Sequence, residues 1–207
     1  MPNEKRVSEA VIRRLPKYYR KLQELKGQGM ERVSSSELAR LMGLNASQIR
    51  QDFNCFGDFG QQGYGYQVDV LLRELALVLN LGKRFAICVV GVGNIGKALL
   101  RYYSEGREGF YVTSAFDVDP AVIDRTYGGV TVRDTEELPA HLAEGTTDIV
   151  AICTQRDQAE PVLRIAEAHN VKGVWNFAPV DLSWGAAFIE NAQLTDDLLV
   201  LAYRMGR

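Results

Sequence analysis

A glycine-rich segment between an apolar run and a helical pattern has the residue types that bind a phosphate. It reads Gly91-Val92-Gly93-Asn94-Ile95-Gly96 and directly follows the apolar run Phe85–Val90. The GxGxxG spacing alone is a weak signal. Here Gly91 permits a tight turn, Gly93 lets the backbone approach a pyrophosphate, and Gly96 allows close helix packing. The phosphate would meet the free N–H groups and the positive end of the next helix. A dinucleotide site is predicted, and the alternative is a glycine turn that binds nothing.

An acidic residue stands where such a site needs one. Asp117 ends the next apolar run, 21 positions past Gly96, and can accept hydrogen bonds from both ribose hydroxyls of the adenosine of NAD. Asp119 adds a second negative charge that would repel the 2'-phosphate of NADP. The pattern therefore favours NAD over NADP. Coenzyme A stays open as an alternative ligand, because related Rossmann domains bind it at the same loop.

A second set of residues has the types and spacing that read DNA. Ala39, Gly43 and Ile49 stand in the relation used by helix-turn-helix modules, with a small residue at the helix crossing, glycine in the turn and an aliphatic anchor. The outward face would then carry Arg50, which can read guanine, and Gln51, which can read adenine. The predicted DNA-binding residues are Ser47, Gln48, Arg50 and Gln51, with Gln61 and Gln62 downstream and Lys17 and Arg20 upstream. A helical dimerisation domain is the alternative.

The charge distribution agrees with a nucleic-acid reader in the first part of the chain. Residues 1–56 contain 11 Lys and Arg against 6 Asp and Glu, whereas residues 81–207 contain 12 against 17. Such a two-sided chain is typical of a basic DNA-binding part joined to something else. The cations that could contact phosphates are Lys5, Arg6, Arg13, Arg14, Lys17, Arg20 and Lys21.

Short helices and a hairpin would position the DNA-reading residues. An amphipathic helix is predicted over Ser8–Lys26, with a kink or a fresh start at Pro16. Serines 34–36 start a helix that ends near Met42, and Asn45 can cap the next one. Glycines and aromatics alternate over residues 56–66, the segment named here the wing, which predicts a twisted hairpin. Residues 68–81 form a further amphipathic helix before a linker at Gly82 and Lys83.

Beyond residue 82 the pattern changes to an alternation of strands and helices. Apolar runs alternate with helical stretches at 95–104 and 158–169, which predicts a parallel sheet of the α/β class. The runs are Phe85–Val90, Tyr111–Phe116, Ile149–Cys153 and Gly173–Phe177. We predict a winged-helix DNA-binding domain over 1–81, a Rossmann NAD(H)-binding domain over 82–190, and a C-terminal dimerisation helix within 191–207. That last helix, about Thr195–Tyr203, is apolar on nearly every side, so it must be buried, either within its own subunit or against a second subunit.

Several motifs together resemble the Rex family of redox-sensing transcriptional repressors. They are the wing sequence FGDFGQQGYGY, the loop VGVGNIG, the strand end FDVDP and the segment NFAPV, and the resemblance covers nearly the whole chain. The resemblance implies a homodimer whose last helices are exchanged. It also implies a palindromic operator bound by the free or NAD+-bound protein and released when NADH binds.

The resemblance also implies roles for particular residues. Tyr102 and Arg20 match a tyrosine and an arginine that couple the nucleotide to the DNA-binding domain. Some members carry basic residues where this chain has Gln51, Gln61 and Gln62, which implies fewer phosphate contacts and a shifted operator preference.

An NAD-dependent dehydrogenase is the alternative from another class. Such an enzyme needs a substrate domain and a proton-transfer residue, but the 126 residues after Leu81 suffice only for the cofactor domain. His141 and His169 are interpreted as structural histidines. We therefore expect no enzyme, no catalytic residue and no metal. Three widely spaced cysteines, no apolar run near 18 residues and no signal-peptide pattern predict a cytoplasmic protein without a membrane span.

Overall fold

The computed structural model describes residues 7–56, 60–61, 65–183 and 187–206. The chain divides into two compact units, Met1–Lys83 and Arg84–Arg207. The helices of the first unit are α1 (Glu9–Ile12), α2 (Leu15–Gly27), α3 (Ser35–Met42), α4 (Ala46–Asn54) and α5 (Val68–Val78). Its strands are β1 (Arg32–Val33), β2 (Gly60–Gln61) and β3 (Gly65–Gln67), and they form an antiparallel sheet in the order β1-β3-β2.

Local signals set the helix ends of the first unit. Pro16 lies in the first turn of α2, where its missing N–H costs nothing, so the chain breaks between α1 and α2 as predicted. Ser34 Oγ accepts the Glu37 N–H at 3.0 Å and caps α3. Gly43 ends α3 at a φ of 64°, and Asn45 Oδ1 accepts the Ser47 N–H at 2.8 Å to cap α4. The predicted helix-turn-helix is therefore confirmed.

The described residues of the wing form two antiparallel strands, as predicted, while residues 57–59 and 62–64 lie outside the described part of the chain. Strand β1 extends the pair to a three-stranded sheet. Tyr66 of β3 pairs with Val33 of β1 on one side and with Gly60 of β2 on the other. One core of this unit holds Tyr18, Ile49, Phe53 and Leu71, which are all almost fully buried. These residues come from α2, α4 and α5, so the helices that flank the sheet share one core.

The second unit is a three-layer α/β domain. Its strands are β4 (Phe85–Val90), β5 (Phe110–Asp117), β6 (Thr126–Tyr127), β7 (Val130–Asp134), β8 (Ile149–Ile152), β9 (Gly173–Asn176) and β10 (Phe188–Asn191). Its helices are α6 (Asn94–Tyr102), α7 (Leu138–Ala143), α8 (Arg156–Ala168) and α9 (Leu194–Met205). The sheet order is β10-β9-β8-β4-β5-β7-β6, and every pair is parallel except the β6–β7 hairpin. Without β6, this is the doubly wound dinucleotide-binding order.

Alternate residues of the central strand feed two different cores. Cys88 and Val90 belong to the cluster that includes the apolar residues of α7 and α8, whereas Ile87 and Val89 belong to the cluster that includes Leu100 of α6. A strand buried on both faces reads as a continuous apolar run, and this is the pattern of Phe85–Val90. The predicted α/β class and parallel sheet are confirmed. Strands β6, β7 and β10 were not predicted.

The terminal helix is not buried within its own subunit, which was one of the two predicted possibilities. None of the residues of α9 is buried, and Leu198 and Leu199 are each 63% exposed. Burial of this helix within its own subunit is therefore wrong, and burial against a second subunit stays a prediction. Within the described residues, no helix is long and apolar enough to cross a membrane.

Candidate nucleotide-binding and DNA-binding sites

The glycine loop lies at the point where the strand order of the sheet reverses. Strand β4 has β5 on one side and β8 on the other, and its carboxyl end leads through Gly91 and Gly93 into α6. In open α/β sheets this crevice is where ligands bind. Among the described residues, no side chain caps the start of α6, so its first-turn N–H groups remain available to an anion.

Each glycine of the loop meets a different steric demand. Gly91 has a φ of 94°, and a Cβ there would lie 2.6 Å from the Cys153 carbonyl oxygen. A Cβ at Gly96 would lie 2.0 Å from the Gly91 carbonyl oxygen, whereas a Cβ at Gly93 would meet no atom of the described residues within 4 Å. Gly91 and Gly96 are therefore required by the fold itself. The openness at Gly93 leaves room for a ligand.

Asp117 ties the glycine loop to the end of β5. Its Oδ2 accepts the Val92 N–H and its Oδ1 accepts the Asp119 N–H at 2.9 Å. Each carboxylate oxygen has two lone pairs, so the group can still accept two hydroxyl donors. Asp119 is exposed and accepts the Ala121 N–H at 2.9 Å, which closes the turn after β5. The structure thus brings Asp117 together with the predicted loop residues, Gly91, Val92, Gly93, Asn94, Ile95 and Gly96.

Tyr102 lies away from this loop in the same subunit. It is the last residue of α6, about 12 Å along the helix from Asn94. Its ring is 55% exposed, packs edge-on against Tyr103 at 4.9 Å, and has the Arg107 guanidinium 4.3 Å from its centroid. The structure therefore does not bring Tyr102 together with the glycine loop.

The outward face of α4 carries most of the predicted DNA-reading residues. Ser47, Arg50 and Gln51 are exposed on one side of the helix, and Gln48 is half-buried beside them. Asn54 lies on the same exposed side at position i+7, and we did not predict it. Its spacing from Ser47 is the signal that could have found it.

Two hydrogen bonds within the first unit hold the side chain of Arg50 in place. Its Nη1 donates to Ser35 Oγ at 3.0 Å and its Nη2 to Ser47 Oγ at 3.1 Å. Ser35 begins α3, so the guanidinium bridges the two helices of the helix-turn-helix. Sequence reasoning placed serines at this helix start but missed the contact with Arg50, because nothing local pairs residues 15 positions apart.

The remaining predicted contacts are spread over α2 and the wing. Lys17 and Arg20 are exposed on α2, and Gln61 lies in β2 opposite Gly65. Gln62 lies outside the described residues, as do Lys5 and Arg6. For Arg14 the phosphate prediction is wrong, since its guanidinium is bound to the buried Asp52 through two hydrogen bonds of 2.7 and 2.9 Å.

The cysteines and histidines of the second unit have environments typical of structural rather than catalytic residues. Burial raises the pKa of the Cys88 and Cys153 thiols to about 12, which keeps both protonated. Burial lowers the pKa of His141, and His169 Nδ1 lies 2.8 Å from the Ile165 carbonyl oxygen. Among the residues that the structure describes, no group of three or more His, Cys, Asp and Glu could hold a metal ion.

Comparisons with known proteins match both parts of the chain. Residues 6–54 match a family model described as a putative DNA-binding protein N-terminus, and residues 83–180 match one described as a CoA binding domain. The redox-sensing transcriptional repressor Rex of Clostridium tetani is 43% identical over 207 residues, which are 100% of this chain and 98% of that protein. This chain belongs to the Rex family.

Solved structures of another Rex-family repressor, RSP, have the same fold. A crystal structure of RSP with β-NAD+ and operator DNA has a TM-score of 0.90 and 40% identity, over 96% of this chain and 92% of that chain. One of RSP with β-NADH has a TM-score of 0.88 and 37% identity, over 97% and 94%. The two-part fold, the family and the interpretation as a transcriptional regulator rather than an enzyme are confirmed.

Proposed function

We propose that this Rex-family chain represses transcription by binding a palindromic operator as a homodimer, and that NADH releases it. The observation that carries the proposal is the presence, in one chain, of an Asp117 carboxylate fixed beside a glycine loop and a helix-turn-helix with an exposed Arg50 and Gln51. The RSP structures, one with β-NAD+ and operator DNA and one with β-NADH, support the same two ligand classes here.

The dinucleotide would lie across the carboxyl end of the sheet. The pyrophosphate would accept hydrogen bonds from the first-turn N–H groups of α6, approaching over Gly93, where a side chain would block it. Asp117 would accept hydrogen bonds from the adenosine ribose hydroxyls. The other half of the ligand would extend over the ends of β8 and β9, because these strands lie on the opposite side of β4 from Asp117.

The same residues favour NAD(H) over the other nucleotides. A 2'-phosphate on the adenosine ribose would meet the negative charges of Asp117 and Asp119. Coenzyme A carries a phosphate on that ribose too, so the same repulsion would act although the domain matches a CoA-binding family model. Thermal shifts with NADH, NAD+, NADPH and coenzyme A at equal concentrations would rank the four ligands, and a larger shift with coenzyme A than with NADH would contradict this assignment.

The helix α4 would enter the major groove of the operator. Arg50 can donate two hydrogen bonds to guanine, and Gln51 can pair with adenine. Ser47, Gln48 and Asn54 lie beside them, while Lys17, Arg20, Gln61 and Gln62 would contact the backbone or the adjacent groove.

A homodimer would bury the apolar surface of α9. Leu198, Leu199 and Met205 are 63%, 63% and 77% exposed in one chain, and an apolar helix exposed on this scale is typical of a protein interface. We propose that α9 packs on the second subunit, exchanged between the two copies. Replacing Leu199 with glutamate would then produce monomers in sedimentation experiments, and an unchanged dimer would contradict the assignment.

The dimer gives NADH a way to act on DNA binding. Two recognition helices must lie about 34 to 36 Å apart, or a multiple of that, to enter successive major grooves. The nicotinamide ring is neutral in NADH and positive in NAD+, so the two ligands can favour different subunit arrangements. A preference of about 1–3 kcal/mol for the released arrangement would lower operator affinity by roughly 5- to 150-fold.

The decisive experiment is operator selection from random duplex DNA, without ligand, with NAD+ and with NADH. We expect a palindromic sequence to be enriched in the first two selections and lost in the third. Titrating NADH and NADPH into the selected complex gives the matched comparison, with NADPH releasing less DNA. A monomer that binds duplex DNA equally well with and without NADH contradicts the proposal.

We assign residues 1–81 to the DNA-binding domain, 82–190 to the nucleotide-binding domain and 191–207 to the dimerisation helix. The division of the chain after Lys83 supports the first boundary. We also propose a cytoplasmic location, since a repressor must reach the chromosome. Fractionation of cells into cytoplasm, membrane and secreted material would test this.

A further inference from the structure

The recognition helix α4 carries a buried carboxylate on the side away from its outward face. Asp52 is only 3% exposed. Since successive residues of a helix are about 100° apart, Asp52 lies about 150° around α4 from the centre of the face formed by Ser47, Arg50, Gln51 and Asn54. A carboxylate in this position cannot contact DNA that the outward face reads.

Asp52 is bound by donors from the first helical segment. Arg14 Nε donates to Asp52 Oδ2 at 2.7 Å, and Arg14 Nη2 donates to Oδ1 at 2.9 Å. The Tyr18 hydroxyl donates to Oδ2 at 2.6 Å. Arg14 directly precedes α2 and Tyr18 lies in its first turns, so the carboxylate links α4 to the start of α2. The Tyr18 ring also packs edge-on against Phe53 of α4 at 5.1 Å.

Stability alone does not require a charged group at this point. A buried ion pair loses hydration, and well-packed apolar residues of similar volume often stabilise a fold as well or better. A guanidinium–carboxylate pair with two parallel hydrogen bonds instead fixes direction, because both groups are planar. The apolar neighbours Ile49 and Phe53 pack α4 against the core, but apolar burial has no preferred direction.

The two hydrogen-bond donors of the cluster, Arg14 and Tyr18, both have raised pKa values. The hydrogen bond from Arg14 to Asp52 raises the pKa of the guanidinium, and burial raises the pKa of the Tyr18 phenol. Both donors therefore stay protonated throughout the neutral range. These two donors therefore hold Asp52 in the same way throughout that range.

We propose that Arg14, Tyr18 and Asp52 are positioning residues that set the rotation of α4, and thereby operator specificity, without touching DNA. The inference rests on the proposed function, in which α4 reads the operator. A rotation of about 10° moves a group at the helix surface, roughly 6 Å from the axis, by about 1 Å. Such a shift exceeds the spread of about 0.5 Å in good hydrogen-bond lengths, so the contacts of Arg50 and Gln51 with bases would be lost.

The test compares operator DNA with a scrambled duplex of the same length at several salt concentrations. Asp52→Asn keeps the side-chain shape but removes the charge and points an NH2 group at a donor. We expect the ratio of operator to scrambled affinity to fall about ten- to hundred-fold, the value of one or two lost base contacts. Affinity for the scrambled duplex should be no lower, and its salt slope should not change, because the exposed cations remain.

Asp69→Asn is the matched control, with the same chemical change in the same unit. Asp69 is exposed and pairs with Lys26 at 2.8 Å, so this variant should keep the wild-type affinity ratio. Two milder variants keep the proposal testable if Asp52→Asn does not fold by circular dichroism. Arg14→Lys keeps the charge but loses the two parallel hydrogen bonds to Asp52, so it should lower the ratio of operator to scrambled affinity. Tyr18→Phe keeps both of those hydrogen bonds and should lower the ratio less.

Two results would overturn the proposal: an unchanged ratio in a folded variant, or an equal loss of affinity for both duplexes. The second result would assign these residues to stability alone. If the wild-type protein and Asp69→Asn both show no operator preference, the proposed function fails. If both show the preference and a folded Asp52→Asn protein keeps it too, only the positioning role fails.

Discussion

Replacing Gly96 with alanine should strongly weaken NADH binding by moving helix α6 away from the glycine loop. The new Cβ would lie 2.0 Å from the Gly91 carbonyl oxygen and 3.4 Å from Val89 Cγ1. Contacts under 3.0 Å are essentially never seen for real Cβ atoms, so a gap of about 1 Å must open. The obstructing atom is a backbone oxygen and cannot rotate aside, so α6 or the loop has to shift.

The size of the effect follows from the hydrogen bonds that the shift removes. Hydrogen bonds to a charged group each contribute about 1.5–3 kcal/mol, and a 1 Å displacement should break one or two of those from α6 to the pyrophosphate. A loss of about 3 kcal/mol raises the Kd for NADH by roughly 100-fold. Overpacking at Gly96 should also cost about 1–3 kcal/mol of folding free energy, which lowers the Tm by several degrees.

Gly93→Ala supplies the matched control. A Cβ at Gly93 would meet no atom of the described part of the chain within 4 Å, so the Tm without ligand should equal that of the wild-type protein. The methyl group would still block the approach of the pyrophosphate and weaken NADH binding. Calorimetric titration with NADH and thermal unfolding of both variants separate a displaced helix from a blocked approach.

Both variants should also stay bound to the operator at an NADH concentration that releases the wild-type protein. Gly96→Ala protein that binds NADH within threefold of wild type, or that unfolds at the wild-type temperature, would show that α6 is not displaced.

Three further predictions concern the second unit. Asp117→Asn should weaken NADH binding about tenfold or more and narrow the preference over NADPH, as measured by calorimetry, because the ribose hydroxyls lose a charged acceptor. Gly128→Ala should lower the Tm by several degrees, since Gly128 has a φ of 57° and a Cβ there would lie 2.1 Å from the Leu100 carbonyl oxygen. Iodoacetamide at pH 8 should leave Cys88 and Cys153 unmodified in the native protein and modify both in urea, as followed by peptide mass spectrometry. With burial raising each thiol pKa to about 12, only about one thiol in 10,000 is ionised at that pH.

Much of the fold could be predicted because the signals that specify it are local. Ser34 and Asn45 cap the helices that follow them, and Pro16 starts α2, since each of these effects involves residues within a single turn. The glycine loop was recognisable for the same reason. Its three glycines serve one turn and one helix start.

The features that were missed depend on contacts distant in sequence. Strand β1 is two residues long and exists only because Arg32 and Val33 pair with β3, more than 30 positions away. The role of Arg14 was predicted wrongly because its partner Asp52 lies 38 positions further along the chain. An arginine on a basic helix indicates a phosphate contact until the fold reveals a buried carboxylate beside it.

Two carboxylates, one in each unit, each accept hydrogen bonds from donors of the protein itself. Asp52 is bound by Arg14 and Tyr18, and Asp117 is bound by two backbone N–H groups, so each carboxylate orders the backbone around it. The Asp117 carboxylate therefore has two roles, since it holds Val92 in the glycine loop and would also accept hydrogen bonds from the ribose hydroxyls. Asp117→Asn would disturb both, because an amide has only one oxygen to accept from these donors. The measured loss of NADH affinity is therefore an upper bound on the ribose contact, and the Tm without ligand reports the part that belongs to the loop.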